Sequence, residues 1–158
     1  MSNVIAGVVR GQLIHLEEHI AKKKAIYMKY KEAFKDLPVT MNPYTNDCEP
    51  NYWLSCLLMD EDAMCEQKRS ANAVEYKCDQ GKTCPSAILE KLESYNAEGR
   101  PIWKPMHLQP IYKDNLYVTA KDNVSTDIFA RGLCLPSDIK MTEEELEQII
   151  EIVRSCFR

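Results

Sequence analysis

Apolar side chains at Ile5, Val9, Leu13, Leu16, Ile20 and Tyr27 recur at steps of three, four and seven residues. That is the period of one face of an α-helix. The pattern predicts one continuous helix from Asn3 to Asp36, entered through Ser2 and Asn3, both good N-caps, and ended by Pro38. Lys22, Lys23 and Lys24 cross polar and boundary positions and read as a solvated face. At ~1.5 Å per residue such a helix runs to roughly 50 Å. A compact chain of this length has a diameter near ~40 Å. The helix should overshoot, leaving Ile5, Val8, Val9 and Leu13 to be covered from outside the chain. A kink near Gly7 or Gly11 that folds the first turns back is the alternative.

Farther along, the run Tyr52 to Met59 is nearly all apolar and predicts a buried strand. Asp60 to Lys82 is polar and mixed; a helix plus a loop fits it. Pro85 opens a short helix with Ile88, Leu89, Leu92 and Tyr95 on one face and Gly99 at its end. In RPIWKPMHLQPIY, Pro101, Pro105 and Pro110 forbid a helix or a central strand. An ordered, extended loop carrying Trp103, Lys104 and His107 is expected there. Val124 to Arg131 predicts a helix closed by Gly132, and Leu133 to Leu135 a brief strand stopped by Pro136. Thr142 and Glu145 form a capping box before a helix burying Leu146, Ile149, Ile150, Val153 and Phe157. The fold class is α+β: a small mixed or antiparallel sheet packed by helices, with one long N-terminal helix. Residues 1–36 would form that helix and residues 37–158 a single domain.

Composition narrows the function classes. The chain has 158 residues, 45% hydrophobic and 28% charged, enough for one folded core. A net charge of −4 argues against a nucleic-acid-binding domain, which usually carries a basic surplus. No apolar run approaches ~20 residues, so no membrane span is predicted. The N-terminus has no signal-peptide pattern. The seven cysteines are odd in number, irregularly spaced and without C-x-x-C. They read as reduced thiols in the cytoplasm rather than as a disulfide framework or a zinc site.

Most catalytic motifs fail on inspection. His15-Leu16-Glu17-Glu18-His19 fits H-x-x-E-H, but a catalytic zinc needs a third ligand and none is evident, so no metal site is predicted. Gly81-Lys82-Thr83 resembles the end of a P-loop, yet Tyr76 stands where the first glycine is required. His107 could serve a cysteine nucleophile, but no local signature selects one. The His107 loop is the best candidate site: Trp103 offers a stacking face, Lys104 a charge, and His107 a hydrogen-bonding group.

Several strings resemble the DegT-type nucleotide-sugar aminotransferases, fold-type I enzymes dependent on pyridoxal phosphate. MSNVIAGVVRGQLIHLEEHIAKKKAIYMKY is similar to their mid-chain helix, PNYWLSCLLMD to the following strand, RPIWKPMHLQPIY to their substrate loop and RGLCLPSDIKMTEEELEQIIEIV to their C-terminus. The resemblance implies an aminotransferase small domain that moves an amino group from an amino acid, commonly glutamate, to a nucleotide-linked keto sugar. Family members have about twice this length. The upstream half supplies the cofactor lysine, so no residue here is given a catalytic role and the chain alone should be inactive. Asn3 is expected to reach the cofactor phosphate of a neighbouring subunit, in keeping with the anion preference of helix starts. His107, flanked by Lys104 and Trp103, is expected to face the sugar nucleotide. The implied partner is a second copy, as a dimer, or a separately encoded large domain. A non-enzymatic assembly module, self-associating through the first helix, is the alternative.

Overall fold

The predicted N-terminal rod is two helices. In the computed structural model, which describes residues 1–42, 44, 47–69, 74–120 and 123–158, α1 (Asn3–Leu13) and α2 (Leu16–Ala33) are separated at Ile14 and His15. The His15 N–H bonds Gln12 O at 3.1 Å, an i→i−3 closure that tightens the turn and interrupts the α ladder. The break is not at Gly7 or Gly11. Ser2 caps α1 by accepting from Ile5 N–H at 3.3 Å. Helix α1 buries none of its residues. Ile5, Val8, Val9 and Leu13 remain 54%, 61%, 44% and 60% exposed, so this chain does not cover them itself. The lysine run is not uniformly solvated. Lys22 pairs with Glu18 at 2.6 Å, and Lys24 lies 5.9 Å over the Tyr52 ring. Lys23 is half-buried and bonds the Ser137 carbonyl.

Four antiparallel strands form the main sheet: β1 (Val39–Met41), β2 (Ser55–Met59), β5 (Arg100–Pro101) and β6 (Gly132–Leu135), in the order β1-β2-β6-β5. Strand β2 starts three residues later than predicted. Asn51 Oδ1 accepts from Trp53 N–H at 3.0 Å, a local turn that diverts the backbone, and Tyr52 sits at φ 53°. Within β2, Ser55, Leu57 and Met59 face the core.

Helices α2 and α3 (Pro85–Ser94) pack on the sheet, and α5 (Glu143–Ser155) packs against both helices. Tyr30, Phe34, Leu57, Ile88, Leu133 and Val153 are among the side chains sealed inside. Core tyrosines keep their hydroxyls bonded: Tyr30 donates to Pro136 O at 2.7 Å and Tyr27 to Asn42 O at 3.1 Å. Burial pushes the Tyr27 phenol up to about 12. Asn96, not Gly99, ends α3. At φ 58° it allows Ala97 N–H to reach Leu92 O and Asn96 N–H to reach Glu93 O, a Schellman closure. Tyr95 turns out to solvent. Gly99 serves close packing instead, since a Cβ there would stand 2.7 Å from Leu89 Cδ2. Helix α5 begins with the predicted capping box. Near its end Arg154 grips the Asp36 carboxylate with two bonds of 2.7 Å.

Residues 60–82 hold a hairpin rather than a helix. After a single 3₁₀ turn at Glu61–Ala63, β3 (Glu66–Arg69) pairs antiparallel with β4 (Val74–Lys77). Periodicity could not find it, because β4 is exposed on both faces. It is held by polar arms. Gln67 Nε2 donates to Ala130 O at 2.6 Å and Arg69 Nη1 to Phe129 O at 3.0 Å. The Glu66↔Lys77 pairing places Cys65 opposite Cys78, and the two are joined as a disulfide. The expectation of reduced thiols throughout is corrected at this pair. Its cause is strand register, which cysteine spacing does not reveal.

Candidate functional site

Between β5 and α4 (Val124–Arg131), residues 105–112 form two single 3₁₀ turns, Met106–Leu108 and Pro110–Tyr112, each opened by a proline at or just before its first residue. The first turn carries His107. His107 Nε2 lies 2.9 Å from Thr126 Oγ1 and 3.0 Å from Asn123 Nδ2. Asn123 Oδ1 accepts from Tyr117 O–H at 3.2 Å, Ser125 O–H at 3.1 Å and Thr126 N–H at 3.3 Å. That network orients the amide, so Nδ2 points at the ring and donates. Nε2 is therefore an acceptor, and a neutral His107 carries its hydrogen on Nδ1. The Tyr117 ring stacks on the imidazole with centroids 3.9 Å apart. The α4 N-cap and the loop histidine are one polar unit.

Trp103 and Lys104 lie elsewhere. They line an open cleft of about 800 Å³, together with Lys23, Trp53, Arg100 and Asp138. Trp103 is 65% exposed and faces Trp53 at 6.2 Å between ring centroids. Lys23 is anchored at the cleft wall by the Ser137 carbonyl. Burial lowers its pKa, partly offset by Asp138. Glu98 holds Arg100 at 2.6 Å. His107 does not line this cleft, and neither does Asn3, which lies exposed in the first turn of α1. The four residues singled out in the sequence thus occupy three places. Sequence reasoning missed Asn123, Thr126 and Tyr117, although Asn123 just before an apolar-periodic stretch was a readable N-cap signal. It also missed Trp53, hidden inside the predicted strand.

Helix α4 is fixed behind the loop. Asp127 and Arg131 pair through two bonds, of 2.6 and 2.5 Å, and Arg131 also bonds the Met59 carbonyl on β2. The Arg131 guanidinium holds the Asp127 carboxyl below its ordinary range. Gly132 is required at the helix-to-strand join, because a Cβ would stand 2.6 Å from Ile128 O and 2.7 Å from Ile102 Cγ1.

His15 and His19 stack with centroids 6.1 Å apart, and Glu18 lies 3.8 Å from His15. Lys22 takes the same carboxylate at shorter range.

The pattern of the DegT/DnrJ/EryC1/StrS aminotransferase family matches residues 1–154, and the chain belongs to that family. It is 34% identical over 160 residues to EpsN of Bacillus subtilis (strain 168), assigned as a pyridoxal phosphate-dependent aminotransferase; the match covers 99% of this chain and 36% of EpsN. It is 22% identical to the GDP-perosamine synthase of Vibrio cholerae, over 99% of this chain and 38% of the synthase. In three dimensions it superposes on the PLP form of Spr1654 of Streptococcus pneumoniae, assigned as a sugar aminotransferase, with a TM-score of 0.77 and 18% identity. That match covers 99% of this chain and 36% of Spr1654. A DegT DnrJ EryC1 StrS aminotransferase from Brucella abortus gives 0.72 at 20% identity, over 96% of this chain and 35% of that one. The chain spans little more than a third of the length of these relatives, so the part they have beyond it is larger than the half that the resemblance implied.

Among the described residues, the cleft and the start of α1 do not by themselves enclose a pyridoxal phosphate. The cofactor needs a lysine amine set against it and a fixed partner for its ring nitrogen. In the cleft, Lys23 is engaged by the Ser137 carbonyl and Lys104 stands exposed on a loop. Exposed α1 offers helix-start N–H groups but no enclosing cup.

Proposed function

We propose that the chain is the substrate-facing C-terminal part of a pyridoxal phosphate-dependent aminotransferase. The enzyme would transfer an amino group from an amino acid, glutamate being the first choice, to a keto sugar linked to a nucleotide. The lysine-bearing part belongs to the remaining length of the family, and this part is inactive without it. The observation that carries the reading is the match to the aminotransferase family along residues 1–154. The cleft supports it: indole faces at Trp53 and Trp103 beside the ammonium groups of Lys23 and Lys104 suit a base and a diphosphate. His107 would present its Nδ1–H to a sugar oxygen, held in place by Asn123 and Thr126. Residues 1–36 would bridge to the large domain. Asn3, at the exposed start of α1, would reach the cofactor phosphate of a neighbouring subunit.

The test is the visible absorbance of the chain with pyridoxal phosphate, alone and combined with the large-domain part. An imine band only in the combination, followed by amino transfer to a nucleotide-linked keto sugar, is the expected result. Transamination by this chain alone would overturn the assignment of an inactive part. A second reading rests on the exposed apolar residues of α1, which would make the chain an assembly module. A monomer by sizing at high concentration, with α1 intact, removes that reading.

A further inference from the structure

Cys65, Cys78 and Cys84 stand 13 and 6 residues apart in sequence, and backbone pairing brings them to one point. Cys65 precedes β3 and Cys78 follows β4, so the Glu66↔Lys77 register sets them face to face, 4.9 Å apart at Cα. Thr83 lies in a parallel bridge with Met64. Cys65 N–H bonds Thr83 O at 2.8 Å and Thr83 N–H bonds Ala63 O at 3.1 Å. That short ladder places Cys84 beside Cys65. The three sulfurs all lie within 4.8 Å of one another. Thiolates on a tetrahedral zinc ion, bound at about 2.3 Å, stand roughly 3.8 Å apart. Cys65 and Cys84 are buried, while Cys78 is exposed and opens the cluster to solvent.

The charges around the cluster point the same way. Three thiolates and a divalent cation sum to −3 + 2 = −1. Arg69 is half-buried close by, its Nε 3.2 Å from Ser86 Oγ, two residues after Cys84. Its hydrogen bonds go to a hydroxyl, Ser86 Oγ, and a carbonyl, Phe129 O. Nη2 is buried with no hydrogen-bond partner among the described residues. A guanidinium placed so would balance an anionic metal–thiolate centre. Cys84 is also the N-cap of α3, where negative charge is favoured.

We infer that Cys65, Cys78 and Cys84 form a thiolate site for a divalent borderline-soft cation, zinc foremost, with the fourth position left to water on the Cys78 side. The Cys65–Cys78 disulfide and the metal are mutually exclusive, so the binding state is the reduced one. A phosphine reaches it from the disulfide, taking the oxygen of one water molecule as its oxide and leaving two thiols. The site would pin the β3–β4 hairpin to the start of α3.

The test uses the full chain, reduced with a phosphine, freed of it and titrated with zinc against a chromophoric chelator. One zinc per chain is expected, with thiolate-to-metal bands in the near ultraviolet when cobalt replaces zinc. The disulfide form should bind none. Cys84→Ser should weaken binding by more than ~100-fold, since even outer-shell losses reach that range. Cys156→Ser, whose thiol bonds Ile152 O far along α5, should bind as the parent does. If Cys84→Ser fails to fold, the cobalt spectrum of the unsubstituted chain still decides. Absence of thiolate bands, absence of stoichiometric zinc in the reduced chain, or a folded Cys84→Ser variant that binds as tightly as the parent would overturn the site.

Discussion

Asn123 donates from Nδ2 to His107 Nε2 at 3.0 Å while its Oδ1 caps α4 through Thr126 N–H. One side chain therefore stabilises a helix and orients the loop histidine. The two roles can be separated. Asn123→Ala removes both and should cost about 1 kcal/mol of stability. Asn123→Ser keeps a good cap but loses the amide Nδ2 that reaches His107 Nε2. On the proposed function, the complete enzyme carrying it should hold the parent's melting temperature while its KM for the proposed sugar substrate rises about three- to tenfold, the worth of one net hydrogen bond. Thermal melts and steady-state kinetics on both variants check this; equal KM in parent and Asn123→Ser would remove His107 positioning from the account.

Gly132 joins α4 to β6 with no space for a side chain. A Cβ would press on the Ile128 carbonyl at 2.6 Å, a backbone atom that cannot swing away. Gly132→Ala should destabilise by about 1–3 kcal/mol, as overpacking does. Urea denaturation is the measurement. A change inside experimental error would mean the helix end can slide.

Acid should weaken the tie between α2 and α5. The Arg154 guanidinium, bonded to Asp36, holds that carboxyl down to about 2 from its ordinary 3.8. The unfolded chain then binds more protons than the folded chain between these values. The contribution is complete above about pH 4 and fades as pH falls through about 2. The pair is exposed, so the effect is small. Denaturant midpoints of the parent and Asp36→Asn should differ above pH 4 and converge near pH 2. A constant gap across that range would show that the substitution acts by another route.

Thr142 and Glu145 exchange bonds of 3.2 and 2.8 Å at the start of α5. Thr142→Ala should cost about 1 kcal/mol and lower the melting temperature by roughly 2–4 °C. A scanning melt decides it, and an unchanged midpoint would show that the core face of α5 alone sets its start.

Where local chemistry decides the outcome, the chain could be read directly. The T-x-x-E box and most of the buried face of α5 were legible, although Ile152 is buried as well and Phe157 lies beyond the helix end, half-buried; the helix at Pro85 and the brief strand at Leu133 were legible too. Features set by distant partners were not. Gln12, Leu13 and Ile14 accept helix, so nothing in their composition announces the break before His15. The hairpin β3–β4 is held by Gln67 and Arg69 reaching α4, with no alternation for a periodicity search to find. The loop that carries His107 was recognisable from its prolines. Its partners Tyr117, Asn123 and Thr126 lie 10 to 19 residues on and meet it only in the folded chain. Trp53 was concealed because Tyr52, at φ 53°, turns the backbone just where the apolar run suggested continuous strand.

Strand β5 is two residues long, and its second residue is Pro101, which has no N–H to offer. It borders the sheet on one side, and the three-residue β1 borders it on the other. A foreign strand laid along either margin would find too few backbone groups to zip onto, so the sheet resists growth by templated stacking. The proline-rich segment that presents His107 therefore also acts as a guard against fibre formation in a domain whose central strands, Ser55–Met59 and Gly132–Leu135, are rich in the side chains that fibres favour.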